Sequence, residues 1–427
     1  MTRVSLAARD TFRSLRMRNF RLFFLGQLVS QTGTWLTMVA QTLLVLRLTD
    51  SGIALGLLAA CQFGPVLVLG AWAGTVADRS DKRRLLIIAQ TAAMAQSFAL
   101  AVVVFTHQDT VAVIYALAAV QGVITAFDNP ARRAFVVEMV PREDVPNAVS
   151  LNSAIMTGAR VFGPALAGLL VITVGFGWAF LLDAVSYAAV IYGLWVMRTK
   201  ELFAEPPSAR SKGQVREGLR YVFAEPQLLV PLVMMAVVGT LAFNFSVTIP
   251  LLVKRTLGGD DGTFTLLFSV LSLGSLIGAL TTARRSTVTS RNLIASSAGF
   301  GVAMLGLAAV PSLWAAFPVG IALGYASVGF LTSSTSIVQL LAHPMYRGRV
   351  LALQAMVFLG STPIGGPIVG WVSDVGGPRA GLVLGGVACL AAALYGFRAL
   401  KGVAPMRPHD AARIEEPVAD EAVALAD

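Results

Sequence analysis

The chain has 427 residues, 56% of them hydrophobic and only 13% Asp, Glu, Lys or Arg, with a mean hydropathy of +0.73. About 25% charged residues is usual in a soluble domain, so the composition excludes a soluble core and implies a polytopic membrane protein. The net charge of +10 does not mark a nucleic-acid binder, because the basic residues are scattered over many short connections and not gathered on one polar domain.

The N-terminal stretch Met1 to Arg21 is basic and lacks the short apolar core and small-residue cleavage site of a signal peptide. Beyond it, a membrane-spanning helix needs roughly 20 apolar residues. Twelve segments meet that length, at 22–46, 53–77, 85–105, 111–128, 146–173, 177–197, 228–252, 263–283, 292–310, 313–340, 349–373 and 380–400. They lack the alternation of barrel strands, and a lipid-exposed backbone must satisfy its own hydrogen bonds, so each is predicted to be a helix.

The first segment carries Gln27, Gln31, Thr34 and Gln41 at spacings near multiples of 3.6, hence on one helix face. Between the second and third lies Gly74-Thr-Val-Ala-Asp78-Arg79-Ser-Asp81-Lys82-Arg83-Arg84. Each charge at the bilayer centre costs about 2.5–3.5 kcal/mol, so this stretch is a tight turn on one membrane face. The fourth segment contains Gln121 and ends at Asp128-Asn-Pro-Ala-Arg-Arg133. Arg160 and Asp183 are the clearest ionisable residues inside spans, on the fifth and sixth, and each must face protein or a wet cavity. They are read either as proton-coupling residues or as structural partners of each other. The fifth span also carries Gly158, Gly163, Pro164 and Gly168, small or kinking positions that let helices approach closely.

The longest polar interruption, 198–227, splits the chain into a six-helix bundle at 1–197 and another at 228–401. It is read as a cytoplasmic linker, with Val215 to Phe223 as an amphipathic piece on the membrane surface. In the second half, Phe243, Asn244 and Phe245 on span seven and Ser333, Ser336 and Gln339 on span ten are candidate cavity residues. Span eleven contains Gly366, Pro367 and Gly370, and a shift of 203 residues superposes Gly163-Pro164 on Gly366-Pro367. Matched halves of this kind suit a transporter that rocks around a midplane site. The acidic, Pro- and Ala-rich tail at 402–427 reads as disordered.

On alternate connections, Lys and Arg number 28 on one side and four on the other, which places both termini in the cytoplasm. Cys61 and Cys389 fall in apolar runs and read as small buried hydrophobes. His107, His343 and His409 are too dispersed to be a metal set. With no nucleotide-binding loop, Ser/His/Asp grouping or metal cluster, an enzyme is disfavoured and no cofactor is expected.

The turn from Gly74 to Arg84 resembles the motif between spans two and three of the major facilitator superfamily, Gly-x-x-x-Asp-Arg-x-Gly-Arg-Arg, with Asp81 in place of the second glycine. Asn19 to Gln27, Asp128 to Arg133, Arg347 to Leu353 and Gly360 to Pro367 are similar to its bacterial efflux branch of enterobactin-exporter-like proteins and drug:proton antiporters. Gly158 to Gly168 resembles the glycine-proline motif of antiporters. The exporter motif of span four has an arginine where this chain has Ala118, three residues before Gln121.

The resemblance implies an all-α fold of twelve spans in two pseudo-symmetric bundles, with spans one, four, seven and ten lining the cavity and a monomer as the default state. It implies a conformational latch of Gly74, Asp78, Arg79, Lys82 and Arg83, with Asp128 either pairing with Arg83 or carrying the proton. The expected activity is proton-driven export of a small amphipathic molecule. Uptake of a nutrient or lysolipid, and a transport-dead ligand sensor, are the alternatives.

Overall fold

The computed structural model describes residues 12–203, 220–223, 225–283 and 289–401, and every long element among them is a helix. In chain order these are α1 (Arg18–Thr49), α2 (Gly52–Arg79), α3 (Lys82–Phe105), α4 (Val111–Glu138), α5 (Val145–Thr173) and α6 (Phe176–Val196). There follow α7, broken into Pro226–Leu241 and Phe245–Leu251 and closed by a π-helical turn Leu252–Thr256, then α8 (Asp261–Ala283) and α9 (Ser290–Ala309). The last three are α10 (Leu313–Leu341), α11 (Pro344–Gly376) and α12 (Pro378–Ala399). The amphipathic piece expected at 215–223 lies mostly, and the tail at 402–427 wholly, outside the described residues.

Eleven spans are long and apolar enough to cross a membrane, and α1 completes the twelve. The 32-residue α1 is less apolar because Gln27, Gln31, Thr37 and Gln41 are buried in protein. The largest departure from the predicted boundaries is α4. It runs on to Glu138 and carries Asp128 and Arg132 inside the helix, where they neutralise each other one turn apart.

Short, well-capped turns join the helices. The Ser51 hydroxyl accepts from the amide of Ala54 at 3.3 Å and starts α2. Asp81 accepts from the amide of Arg84 at 3.0 Å and starts α3, so the residue that replaces the motif's second glycine acts as an N-cap. Gly175 before α6 and Gly377 before α12 both have positive φ, 89° and 83°. This left-handed backbone is one that only glycine adopts without strain, at matching places in the two halves.

In the first half α1 packs on α5 and α6, α2 on α4, and α3 on α4 and α6; in the second, α7 packs on α11 and α12, α8 on α10, and α9 on α10 and α12. Two helix pairs join the halves extensively, α2 with α11 and α5 with α8. A Cβ on Gly56 would run into the backbone of Gly366 and Pro367, and one on Gly52 would lie 2.6 Å from the Gly370 carbonyl oxygen. The α5–α8 crossing places the Thr265 side chain where a Cβ on Gly168 would go. Gly163 instead makes room for Trp35 of α1 within the first half.

All these contacts between halves lie toward the membrane face that carries the α1–α2 connection. Toward the other face, which carries the basic α2–α3 turn, a Cβ on Gly70, Gly74, Gly158 or Gly348 would meet nothing within 4 Å. Gly74, expected in the latch, thus meets no neighbouring helix in this conformation, because the halves diverge there.

Candidate functional site

A cavity of about 260 Å³ lies within the first half, walled by α1, α2, α3, α4, α5 and α6. Its apolar wall is Trp35, Met38, Phe63, Ala93, Ile124 and Met156. Its polar wall holds six amide side chains, Gln31, Gln41, Gln62, Gln90, Gln121 and Asn129, together with Thr34, Tyr187, Asp128, Arg132 and Asp183. Gln62 Nε2 donates to Gln41 Oε1 at 2.8 Å, and Thr34 shares a 3.1 Å hydrogen bond with the Tyr187 hydroxyl. Gln41 Nε2, Gln90 Oε1 and Gln121 Oε1 are buried without a hydrogen-bond partner in the protein. An unmet buried polar group is costly, so these three atoms offer hydrogen bonds to an occupant.

Asp183 on α6 is fully enclosed, at 1% exposure. Its Oδ2 accepts from Thr37 Oγ1 of α1 at 2.7 Å and from Ser97 Oγ of α3 at 2.8 Å, while Ser186 approaches Oδ1 at 3.4 Å. Gly33 brings the α1 backbone against this carboxylate, since a Cβ there would collide with it. Among the described residues no basic group pairs with it. Hydroxyls both donate and accept, so the same three partners can serve the ionised and the protonated acid.

Arg160 is therefore not the partner of Asp183. Its guanidinium stands 5.8 Å over the Trp35 ring, and its Nε is buried without a hydrogen-bond partner. Asp128 is not a partner of Arg83 either. Its Oδ2 is 2.6 Å from Arg132 Nη2, and its Oδ1 accepts from Gln90 Nε2 at 2.7 Å. Arg132 also donates to Gln27 Oε1 at 3.2 Å and Asn129 Oδ1 at 2.9 Å. Both charged side chains are less than a tenth exposed. Breaking such a pair strands a buried charge, at about 3–5 kcal/mol. Arg132→Met should thus lower thermal stability in detergent markedly, and Asp128→Asn combined with Arg132→Gln should recover most of the loss. Equal melting of wild type and Arg132→Met would refute the pairing.

The remaining basic-turn residues are held within the first half. Lys82 Nζ lies 2.7 Å from Glu138, and Arg83 donates to the carbonyls of Leu194 and Trp195 at 2.6 and 3.0 Å, closing the end of α6. Arg79 is exposed.

The second-half candidates do not reach this cavity. Phe243 and Phe245 pack with Phe300, and Phe243 also with Phe358, where α7 breaks. Asn244 is 1% exposed and donates to the Thr240 carbonyl at 2.7 Å, bridging the break. Ser333 is buried with its hydroxyl unpaired, Ser336 is half-buried and Gln339 is exposed. Gln27 lies behind the cavity wall, bonded to Gln31 and Arg132.

Opposite the basic turn, charges tie the halves together. Asp374 of α11 accepts from the amides of Gly52 and Ile53 at 2.7 and 3.0 Å and from Ser51 Oγ at 2.9 Å. A carboxylate of the second half thus caps α2 of the first, where the helix dipole favours negative charge. Arg255, on the π-helical turn, bonds Asp374 Oδ1 at 2.8 Å and Asp50 Oδ1 at 3.0 Å. Nearby, Asp261 at the start of α8 receives Arg47 of α1 and, at 2.5 Å, Lys254.

Sequence reading missed Arg132 because span four was ended at Asp128, although the Asp128–Arg132 spacing of four on one helix face was there to be read. It missed the Arg47–Asp261, Arg255–Asp50 and Arg255–Asp374 pairs at the far end because their partners lie more than a hundred residues apart along the chain.

Residues 9–425 match the family described as transmembrane secretion effector. The staphyloferrin A transporter of Staphylococcus aureus is 23% identical over 84% of this chain and 90% of its own length. The multidrug efflux pump Tap of Mycolicibacterium fortuitum is 26% identical over 84% and 90%, and the enterobactin exporter EntS of Salmonella typhi 24% over 75% and 76%. Among solved structures, a bacterial homologue of the lysosomal transporter Spinster, inward-facing and unoccupied, superposes with a TM-score of 0.70 at 14% identity, covering 90% of this chain and 96% of that one. The nucleoside transporter NupG gives 0.71 at 14%, over 91% and 99%. Twelve spans in this arrangement, matched over nearly their whole length, identify the chain as a multi-pass transporter of the major facilitator superfamily and a member of its transmembrane secretion effector family.

Proposed function

We propose that this transporter exports a small amphipathic molecule, drug-like or siderophore-like, from the cytoplasm by alternating access, as a monomer in the cytoplasmic membrane and driven by inward proton flow. The observation that carries this reading is the pairing of an amide-rich, partly aromatic cavity with an enclosed carboxylate on its wall. The cavity supplies adaptable hydrogen bonds beside flat apolar surface, and Asp183 supplies a site for a coupling proton. The named roles of the relatives favour efflux over uptake. At about 260 Å³ the cavity is smaller than the roughly 300–1,000 Å³ of drug-sized sites, so it holds part of such a substrate, with the rest in the gap between the halves.

The basic-loop face is then the cytoplasmic one, both termini lie in the cytoplasm, and the conformation is open toward it. In the opposite conformation Gly74, Asp78, Arg79, Lys82 and Arg83 meet the second half and latch the cytoplasmic side, while the Asp374 and Arg255 contacts part. Arg255→Gln weakens the seal by roughly 1–3 kcal/mol, a 5- to 150-fold shift in population. In a background lacking Cys61 and Cys389, labelling of Thr34→Cys from outside the cell should accelerate accordingly; unchanged labelling removes Arg255 from the seal.

Everted vesicles test the transport reading itself. Uptake of a panel of siderophores and amphipathic drugs should require an imposed pH gradient and stop when it collapses. Uptake that ignores the gradient excludes proton antiport, and movement only in the opposite direction excludes export.

A further inference from the structure

Besides the first-half cavity, a groove of about 540 Å³ lies on the surface of the second half, between α8, α9 and α10. The helices α8 and α9 both pack on α10 and share no extensive contact with each other, so a furrow remains with α10 as its floor. Its bed stays shallow because small residues line it: Gly299 and Ala326 sit 4.0 Å apart, measured from the position a Cβ on Gly299 would take, and the corresponding distance from Gly329 to Ser296 is 3.4 Å. Val302 and Tyr325 on its walls are 62% and 38% exposed, and none of the residues lining it lines the first-half cavity.

We propose that this groove binds one anionic phospholipid from the leaflet on the basic-loop side, with its phosphate on Arg291 and an acyl chain along Gly299, Val302, Ala322 and Ala326. Polarity is segregated along the furrow as it is in a phospholipid. Thr282, Arg291, Asn292 and Ser296 occupy the end nearest the basic connections, and the remaining lining is almost wholly apolar. Arg291 is exposed at the first turn of α9 and makes no ion pair or hydrogen bond with another described residue. Its positive charge adds to that of the helix N-terminus, a combination that favours phosphate. The connection before it, residues 284–289, contains Arg284 and Arg285 and no acidic residue, so no nearby carboxylate in sequence competes for Arg291. From Arg291 to Val302 the groove runs about 16 Å at 1.5 Å per residue, half of the ~30 Å hydrocarbon thickness. That length fits one acyl chain of one leaflet. The proposal depends on neither the direction of transport nor its coupling.

Native mass spectrometry of the full-length protein in detergent, titrated with phosphatidylglycerol and with phosphatidylcholine of matched chains, tests it. One phosphatidylglycerol should be retained in preference to phosphatidylcholine by about fivefold, the effect of one basic side chain at a membrane surface. Arg291→Gln should abolish that preference and Arg291→Lys should keep it. Gly299→Trp, which fills the acyl path, should remove the bound lipid while the protein still elutes as a single folded species. Arg291→Gln retaining the wild-type preference, or Gly299→Trp retaining the lipid, overturns the assignment. So does full displacement of the lipid by inorganic phosphate, which would mark a simple anion site.

Discussion

Asp183→Asn is expected to abolish proton-driven transport while leaving the protein folded and able to exchange substrate between equal concentrations. The carboxamide has the shape of the carboxylic acid, and its oxygen still accepts from Thr37 and Ser97, which hold Asp183 at 2.7 and 2.8 Å. What it loses is the ability to release and rebind a proton. Coupling needs a group whose charge changes as the halves rock, and Asp183 joins α6 to α1 and α3 beside the cavity wall. In proteoliposomes carrying a pH-sensitive dye, wild type should move protons against substrate, and Asp183→Asn should match protein-free vesicles. Asp183→Leu separates this from a packing role. It leaves buried hydroxyls without their acceptor, at about 1–3 kcal/mol each, and should also lower thermal stability. Proton-coupled flux retained in Asp183→Asn would make this carboxylate a core hydrogen-bond acceptor and remove it from the coupling route.

The span pattern was legible because a bilayer imposes one simple rule on composition, and the helices follow it closely even where α1 is rich in glutamine. That polar stripe was itself a signal, since Gln31, Thr34 and Gln41 share a face and the structure turns that face to the cavity. The glycine pairs were legible as a repeat, Gly163-Pro164 echoing Gly366-Pro367. Their partners were not: Gly163 accommodates Trp35 inside its own half, whereas Gly366 meets Gly56 of the other.

Charge was harder to read than hydropathy. Arg132 looked like a loop residue because a charge normally ends an apolar run. Paired one turn away with Asp128, it instead continues α4 into the protein. The motif between α2 and α3 was legible as a polar turn, and in this conformation Lys82 and Arg83 are bonded within the first half. Arg47 and Arg255, basic residues of the far side, proved to bind Asp261 and Asp50 across the halves, while Lys254 and Asp374 complete the two clusters from within the second half. No local pattern encodes a contact between residues more than a hundred positions apart.

Those two faces set up a pair of substitutions with opposite expected outcomes. Gly56→Leu places a side chain against the Gly366 and Pro367 backbone, which cannot yield as a flexible side chain would. Overpacking of this kind costs about 1–3 kcal/mol or more, and it falls only on the conformation in which α2 and α11 touch at this point. The protein should relax by separating the halves there, trapping the state closed on the basic-loop face. Gly74→Leu is the converse. Its Cβ meets nothing within 4 Å here, so the present conformation tolerates it, while the state that brings the basic turn against the second half does not. Both variants should lose transport, yet a cysteine at Thr34 should become reachable from the sealed side in Gly56→Leu and only from the basic-loop side in Gly74→Leu. Identical labelling in the two would mean that α2 and α11 do not pivot about a central contact, and the rocking mechanism would have to be abandoned.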